Sequence, residues 1–266
     1  MIVTGAARGL GAELAWAFAG AGARVAVVDV LADELDNTVG GIVVAGGECM
    51  PIQVDTTSVS DVEAMFATVE EQWGPVDVQI NNAGTLSVIA PVWECDPDSW
   101  YRDVRTNLYG SFLCCRVAAR SMVPRGAWYI LNIVSSGGVG DPHPYATGYA
   151  SSKAGLMRLT EGLAKELEPH GVKAFAIAPP AIRTAMTEFI LNDPGGKKWR
   201  PGFAKIFEEG KDAPPEVVSK LALELVSGRA DRLTGRYFLA PADFEEIVAR
   251  TDEILEKDLM TLRIRS

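Results

Sequence analysis

Cysteine and histidine are scarce in this chain, which has four cysteines and two histidines among its 266 residues. The cysteines include an adjacent pair, Cys114 and Cys115, but no Cys-x-x-Cys motif, and the histidines, His143 and His170, lie far apart in sequence. This pattern argues against a zinc site and against a disulfide framework. It favours reduced thiols, as expected for a cytoplasmic protein.

Long apolar runs and positive charge are also lacking. No apolar run reaches the roughly 18 residues that a bilayer-spanning helix needs, and no basic, apolar leader precedes the first motif. The chain has 25 Lys and Arg residues against 35 Asp and Glu residues, a net charge of -10. Such a field repels phosphate backbones and anionic membranes. We therefore predict a cytoplasmic protein that acts on a small molecule, with no nucleic-acid or membrane partner and no metal.

Short β-branched runs alternate with amphipathic segments along most of the chain. Buried runs of this length, separated by helical patterns, predict parallel strands that are covered on both faces by crossover helices. The fold class is therefore α/β: a single doubly wound, Rossmann-type domain with a parallel seven-stranded sheet, helices on both faces and an extra C-terminal helix. The predicted helices span residues 9–20, 31–45, 58–73, 98–122, 148–168 and 214–227.

Two segments interrupt the alternation. Residues 185–213 are rich in glycine, proline and aromatic residues, which predicts a long irregular lid over a binding site. The run KKWR, residues 197–200, could give this lid a basic face for an anionic substrate or could simply be solvated. Residues 241–266 predict an acidic amphipathic helix. We divide the chain into a dinucleotide-binding catalytic domain, 1–240, and a C-terminal helical extension, 241–266.

The first apolar run leads directly into TGAARGLG, in which Gly5, Gly9 and Gly11 open a predicted helix. Glycine is needed where the backbone turns sharply and where its N–H groups approach a pyrophosphate at the positive end of a helix. The turn therefore predicts a dinucleotide site.

The second apolar run ends in Asp29, where a carboxylate can bind both hydroxyls of an adenosine ribose. The same carboxylate would repel a 2′-phosphate by about 4 kcal/mol per unit charge at roughly 4 Å and an effective dielectric constant of about 20. NAD is therefore favoured over NADP. Arg8 is the competing signal, because its guanidinium could bind a 2′-phosphate or could lie exposed over the adenine.

TGYASSKAGL, residues 147–156, places Tyr149 four positions before Lys153 in a predicted helix. Side chains at this spacing lie on one helix face about 5 to 6 Å apart, so the hydroxyl and the ammonium would be neighbours. The pair alone does not establish a site, because the same spacing occurs in many solvated helices.

Four motifs, taken in order, resemble those of the short-chain dehydrogenase/reductase family, and the resemblance spans nearly all of residues 1–240. They are TGxxxGxG at 4–11, NNAG at 81–84, a serine at Ser136 and YxxxK at 149–153. The resemblance implies a nicotinamide cofactor and catalysis by Asn107, Ser136, Tyr149 and Lys153. Together with the glycine turn and Asp29, it implies cofactor contacts by Gly5, Arg8, Gly9, Leu10, Gly11, Asp29, Asp55, Thr56, Asn82, Ala83, Gly84, Tyr149, Lys153, Pro179, Ile182 and Thr184.

The resemblance also implies a role for each catalytic residue. Tyr149 would exchange the substrate's hydroxyl proton, Lys153 would tune Tyr149 and bind the nicotinamide ribose, and Ser136 would steady the reacting oxygen. Lowering a phenol pKa from about 10 to neutrality requires about 4 kcal/mol, which one ammonium about 4 to 5 Å away can supply. Ser135 is the alternative to Ser136. Asn107 would hold a water that links the lysine to solvent, or would be structural.

The sequence departs from the family pattern in places. Pro180 stands where the family has glycine, and because proline fixes φ and lacks an N–H, it could alter the turn that carries Ile182 and Thr184. The first strand is shorter than usual.

Family members pair through helices that here would be 98–122 and 148–168, which implies a homodimer or homotetramer.

The sequence therefore predicts an NAD-dependent oxidoreductase that moves a hydride between nicotinamide and a secondary alcohol or ketone. One alternative is an NADPH-dependent 3-oxoacyl-carrier reductase, which needs a basic 2′-phosphate site and a positive docking surface. Another is a catalytically silent NAD-binding regulatory protein, which should lack part of the Ser136, Tyr149 and Lys153 set. His143 would line the substrate mouth, with a role as a second acid as the alternative. The identity of the substrate is not encoded in a readable motif.

Overall fold

A parallel seven-stranded sheet forms the centre of the computed structural model, which describes residues 1–140 and 142–263. Along the sheet the strand order is β3-β2-β1-β4-β5-β6-β7, as predicted for a doubly wound domain. The order reverses between β1 and β4, and such a reversal opens a crevice at the carboxyl ends of the strands. The strands are β1 Ile2–Thr4, β2 Val25–Asp29, β3 Cys49–Gln53, β4 Val78–Asn81, β5 Tyr129–Ile133, β6 Lys173–Ala178 and β7 Tyr237–Leu239.

Helices cover both faces of this sheet because side chains alternate along each buried strand. In β2, Val25 and Val27 join the apolar cluster on one face, whereas Ala26 and Val28 join the cluster on the other. The helices are α1 Gly9–Gly20, α2 Ala32–Val44, α3 Val59–Trp73, α4 Pro97–Val104, α5 Ser111–Met122, α6 Thr147–Leu167, α7 Ala185–Asn192, α8 Pro194–Trp199, α9 Phe203–Glu208, α10 Glu216–Leu225, α11 Phe244–Ala249 and α12 Thr251–Glu256. In the part of the chain that the structure describes, none of them is long and apolar enough to cross a membrane.

The predicted helix 98–122 is interrupted in its middle. A π-helical turn, Arg105–Gly110, separates α4 from α5. The buried Asn107 lies in this turn, and its amide bonds Thr85 in the loop after β4 and Ser152 on α6. These contacts stabilise the widened turn, and a π-turn of this kind is often found at a functional site.

The lid, 185–213, was predicted to be irregular but contains three helices, α7, α8 and α9. Thr184 and Thr187 form a reciprocal cap at the start of α7. Asp193 caps α8 by accepting hydrogen bonds from two backbone N–H groups, and Pro194 occupies its first turn. The same prolines and polar residues that suggested a loop therefore act as helix starts.

The C-terminal extension forms two short helices, α11 and α12, instead of the single helix predicted. Phe244 and Ile254 bury their side chains in the core of the catalytic domain. Beyond α12, the carbonyl of Met260 accepts a hydrogen bond of 2.9 Å from the N–H of Tyr237, so the tail covers the outer edge of β7. The last three residues of the predicted extension, 264–266, lie outside the described residues.

Candidate active site

A cavity of about 780 Å³ opens at the carboxyl ends of the central strands. It is lined by residues that directly follow β1, β2, β4, β5 and β6, and by residues of the lid. All of the predicted cofactor residues line it, as do Ser136, Tyr149 and Lys153. Asn107 does not line the cavity itself. The fold thus collects motifs that are distant in sequence at the crevice where doubly wound domains bind ligands.

The glycine turn leaves backbone exposed where a side chain would block it. Gly5 and Gly9 have positive φ angles of 65° and 57°, which L side chains rarely adopt. A Cβ added to Gly11 would lie 2.0 Å from the carbonyl oxygen of Gly5. Arg8, at the N-cap position of α1, makes no side-chain capping hydrogen bond, and the first residues of the helix line the cavity, so their N–H groups are available to a ligand. This cradle fits the pyrophosphate of a dinucleotide.

The NNAG segment supports this cradle. The side-chain amide of Asn82 donates to the carbonyl oxygens of Thr4 and Gly5, at 3.1 and 2.9 Å. The hydroxyl of Thr4 in turn accepts from the N–H groups of Asn82 and Ala83, both at 3.2 Å. The motif therefore fixes the shape of the glycine turn as well as lining the cavity.

Besides Asp29, the end of the site where the ribose is expected has two side chains of opposite charge, Arg8 and Glu34. The Asp29 carboxylate is oriented by the N–H of Ala7 at 3.1 Å and by the two backbone N–H groups that follow it. Arg8 does not stand free, because its guanidinium lies 3.0 Å from the carboxylate of Glu34. Glu34 was not identified from the sequence, although its place in the first turn of α2 puts it beside Asp29. The positive charge of Arg8 is therefore balanced by Glu34, so it does not offset the negative charge of Asp29.

Tyr149 and Lys153 lie on one face of α6, as their spacing predicts. The Lys153 ammonium is 5.8 Å from the centre of the Tyr149 ring. It donates a hydrogen bond of 2.8 Å to the carbonyl oxygen of Ile133 at the end of β5. Lys153 is 4% exposed, and this burial lowers its pKa from 10.5 to about 8.

The pKa of Tyr149 departs from the sequence-based expectation. Burial raises it, and this effect outweighs hydrogen bonding by Ser135 and the positive charge of Arg200, which lower it. Asp103 raises it further. The expected lowering of this pKa by Lys153 does not outweigh the burial of the phenol, and the Lys153 ammonium is directed at the Ile133 carbonyl.

The two adjacent serines occupy different positions after β5. Ser135 interacts with Tyr149 and accepts a hydrogen bond of 3.2 Å from the N–H of Gly137. Ser136 begins a short 3₁₀ turn, is exposed to the cavity, and its hydroxyl has no hydrogen-bond partner among residues 1–140 and 142–263. Ser135 is therefore the serine that contacts Tyr149, whereas Ser136 is the serine whose hydroxyl is available to a ligand.

Asn107 is fully buried and satisfied by protein groups. Its amide nitrogen donates to the Thr85 carbonyl and to the Ser152 hydroxyl, both at 2.9 Å, and its oxygen accepts from the Thr85 N–H at 2.7 Å. A Cβ on Gly84 would lie near both the Asn107 oxygen and the Lys153 ammonium, so the two side chains approach the same loop. These contacts give Asn107 a positioning role, and the water relay stays a prediction.

Known proteins are similar to this chain in sequence and in fold. A family model described as short chain dehydrogenase matches residues 1–195. The chain is 33% identical over 237 residues to 3β-hydroxysteroid dehydrogenase 1 of Eggerthella lenta, with 88% of this chain and 89% of that protein covered. It is 30% identical over 240 residues to the NAD-dependent glycerol dehydrogenase of Listeria innocua, with 88% and 89% covered. A solved 7α-hydroxysteroid dehydrogenase complexed with NADH and 7-oxo-glycochenodeoxycholic acid matches with a TM-score of 0.79 and 28% identity, covering 90% of this chain and 91% of that one.

Proposed function

The chain belongs to the short-chain dehydrogenase/reductase family and is an oxidoreductase of alcohol or ketone groups, and from this premise we propose an NAD-dependent enzyme with a Ser–Tyr–Lys mechanism. Its substrate is a secondary alcohol or the corresponding ketone. The observation that carries the proposal is that Tyr149 and Lys153 share one cavity with the glycine cradle. The relatives named above, which include steroid and glycerol dehydrogenases and an NADH complex, support it.

The chain's own residues handle the proton while the nicotinamide, when bound, accepts or supplies the hydride at C4. Tyr149 takes the hydroxyl proton in the oxidation direction and returns it in reduction. Ser136 donates a hydrogen bond to the reacting oxygen as negative charge develops there. Ser135 steadies the Tyr149 hydroxyl. Lys153 binds the nicotinamide ribose and passes protons toward solvent, and Asn107 holds the loop beside it.

The raised pKa of Tyr149 has a consequence for direction. Burial raises the pKa of the phenol and so favours its protonated form, which is the form that donates a proton to a ketone. Oxidation requires the phenolate, so it needs additional positive charge near the ring. The oxidised nicotinamide carries such a charge.

A panel of cyclic, steroidal, sugar and aryl secondary alcohols, each tested with NAD, identifies the substrate. A chain that binds NADH tightly and oxidises none of them would be a silent binding protein.

The charges at the ribose end support NAD as the cofactor. Asp29 would repel a 2′-phosphate, and the Arg8 guanidinium that could attract one is paired with Glu34. An NADPH-dependent reductase of carrier-bound 3-ketones would need this arginine free. The contacts therefore favour NAD over NADP.

Asp29→Ser is expected to shift the cofactor preference toward NADPH. Removing the carboxylate relieves the repulsion of the 2′-phosphate and leaves serine to bond a single ribose hydroxyl, so the ratio of kcat/KM for NADPH to that for NADH should rise about 10- to 100-fold, less than the unscreened charge would give. Asp33→Ser makes the same charge change on α2 without touching the cavity and should leave the ratio unchanged. A wild-type enzyme that already prefers NADPH would contradict the cofactor assignment.

We also propose a cytoplasmic homo-oligomer. The four cysteines are free thiols, as expected in the cytoplasm. Tyr101, Tyr109 and Phe112 are 59, 42 and 41% exposed on or beside α4 and α5, and this aromatic surface favours pairing of two copies through these helices and α6. Light scattering that gave the mass of one chain would contradict it.

A further inference from the structure

One arginine of the lid lies against the active-site cavity without a carboxylate partner. Arg200 follows α8, is half-buried and lines the cavity. Within residues 1–140 and 142–263, no Asp or Glu forms an ion pair with it. Its contacts are His143, whose Nδ1 lies 3.5 Å from Nη2, and the ring of Phe203, 5.3 Å from the guanidinium carbon.

The other half-buried arginines of the described chain are neutralised. Arg125 pairs with Asp77 at 2.9 Å, and Arg236 pairs with Asp258. A guanidinium that is partly withdrawn from water without a counter-charge costs free energy, and burial accordingly lowers the pKa of Arg200. Among the half-buried arginines of residues 1–140 and 142–263, Arg200 is thus the exception, and it lines the active-site cavity, where a ligand can bring a negative charge.

The position of Arg200 is fixed by packing around α8. The neighbouring Trp199 stacks on Tyr145 with ring centres 4.9 Å apart. Gly195 and Gly196 lie so close to α7 and to the loop after β4 that an added Cβ would meet carbonyl oxygens of Ile89 and Ile190 at 2.1 and 1.9 Å. The helix cannot shift without breaking these contacts, so the backbone at Arg200 is held beside the cavity wall, and the contacts with His143 and Phe203 orient its guanidinium.

Arg200 lies at the catalytic end of the cavity. Its charge reaches Tyr149, and its neighbour His143 packs against Gly137 in the turn that begins with Ser136. The lysines of the same KKWR run behave differently, because Lys197 and Lys198 are exposed to solvent. Of the basic run, therefore, only its arginine is placed to meet a substrate.

We propose that Arg200, beside His143, binds a carboxylate of the substrate, so that the enzyme interconverts hydroxy and oxo carboxylic acids. A guanidinium presents parallel N–H donors that match the two oxygens of a carboxylate, and its single charge balances a monoanion. The inference rests on the proposed alcohol and ketone chemistry and adds the class of substrate. The hydroxyl carbon loses a hydride to nicotinamide C4 and the hydroxyl proton passes to Tyr149, while the carboxylate stays bound and unchanged.

An alternative role, in which Arg200 acts only on Tyr149, leads to a different expected result. If its charge acted only on Tyr149, replacing Arg200 would change kcat/KM by the same factor for every substrate, and the pH profile would shift for all of them. Binding of a carboxylate affects only substrates that carry one. Matched pairs of an acid and its methyl ester separate the two roles, because both members carry the same reacting alcohol.

The experiment compares the wild type, Arg200→Gln and the control Lys197→Gln on such pairs: 3-hydroxybutyrate, 4-hydroxycyclohexanecarboxylate and a 3-hydroxysteroid carboxylic acid, each beside its methyl ester. In the wild type, kcat/KM should favour the acid. Arg200→Gln should lower kcat/KM for the acid roughly 10- to 100-fold, the range for loss of a charge-assisted hydrogen bond, and change the ester less than about threefold. Lys197→Gln should behave as wild type.

A second readout does not depend on turnover. At least one of the three acids should raise the thermal unfolding temperature of the wild type, and the same acid should not raise that of Arg200→Gln; the unfolding temperatures measured without added acid show whether the variant is folded. Equal losses on acid and ester, or a stabilisation by the acid that survives in Arg200→Gln, would overturn the assignment. If no alcohol is turned over, the proposed function fails, and this binding comparison still decides the role of Arg200.

Discussion

Tyr149→Phe is expected to lower kcat by about a thousandfold while leaving the dissociation constant of NADH within about twofold of wild type. The substitution removes only the hydroxyl that exchanges the proton and keeps the ring that packs in the cavity wall. The cradle at Gly5, Gly9 and Gly11 and the ribose site at Asp29 are untouched. Steady-state kinetics on the best alcohol, together with fluorescence titration of NADH, measures both quantities.

A second tyrosine of the same segment supplies the matched control. Tyr145 precedes α6, stacks on Trp199 and is not among the residues that line the cavity. Tyr145→Phe keeps that stacking and should retain near wild-type kcat. Equal turnover by Tyr149→Phe and wild type would remove Tyr149 from the mechanism.

Lys153→Met is expected to lower kcat by about 10²- to 10³-fold and, unlike Tyr149→Phe, to weaken NADH binding as well. The ammonium is a buried donor in the cavity wall, proposed to bind the nicotinamide ribose, and its pKa is lowered to about 8 by burial. It is charged below that pH and loses its charge above it, so kcat/KM for ketone reduction by the wild type should fall as pH rises through about 8. A pH profile of reduction measures this.

Methionine cannot titrate, so the inflection near pH 8 should be absent in Lys153→Met. Lys165→Met, an exposed substitution on the same helix, should keep both the rate and the inflection. If the inflection persisted in Lys153→Met, another group would be responsible for it.

The sequence was sufficient for the sheet and for the cradle because both depend on local patterns. Short β-branched runs bounded by turn residues, such as RVAVVD, favour strands that are buried on both faces, and glycine at positions 5 and 9 suits the positive φ angles found there. The i, i+4 spacing of Tyr149 and Lys153 likewise follows from helix geometry alone. These features required no knowledge of distant contacts.

The remaining features depend on contacts between segments far apart in sequence. The π-turn in 98–122 is stabilised by bonds from Asn107 to Thr85 and Ser152. The pairing of Arg8 with Glu34 and the lone Arg200 at the cavity wall are likewise tertiary. The pKa of Tyr149 was misjudged for the same reason, because the desolvation of a side chain is set by everything that packs around it.

The most direct test of the account follows the hydride itself. NADH that carries deuterium at both C4 positions is incubated with the wild type and the ketone of the best alcohol, and the product is analysed by mass spectrometry and NMR. The account predicts one deuterium on the carbinol carbon of the product in the wild type and almost no product with Tyr149→Phe. A product alcohol without deuterium on that carbon would contradict it.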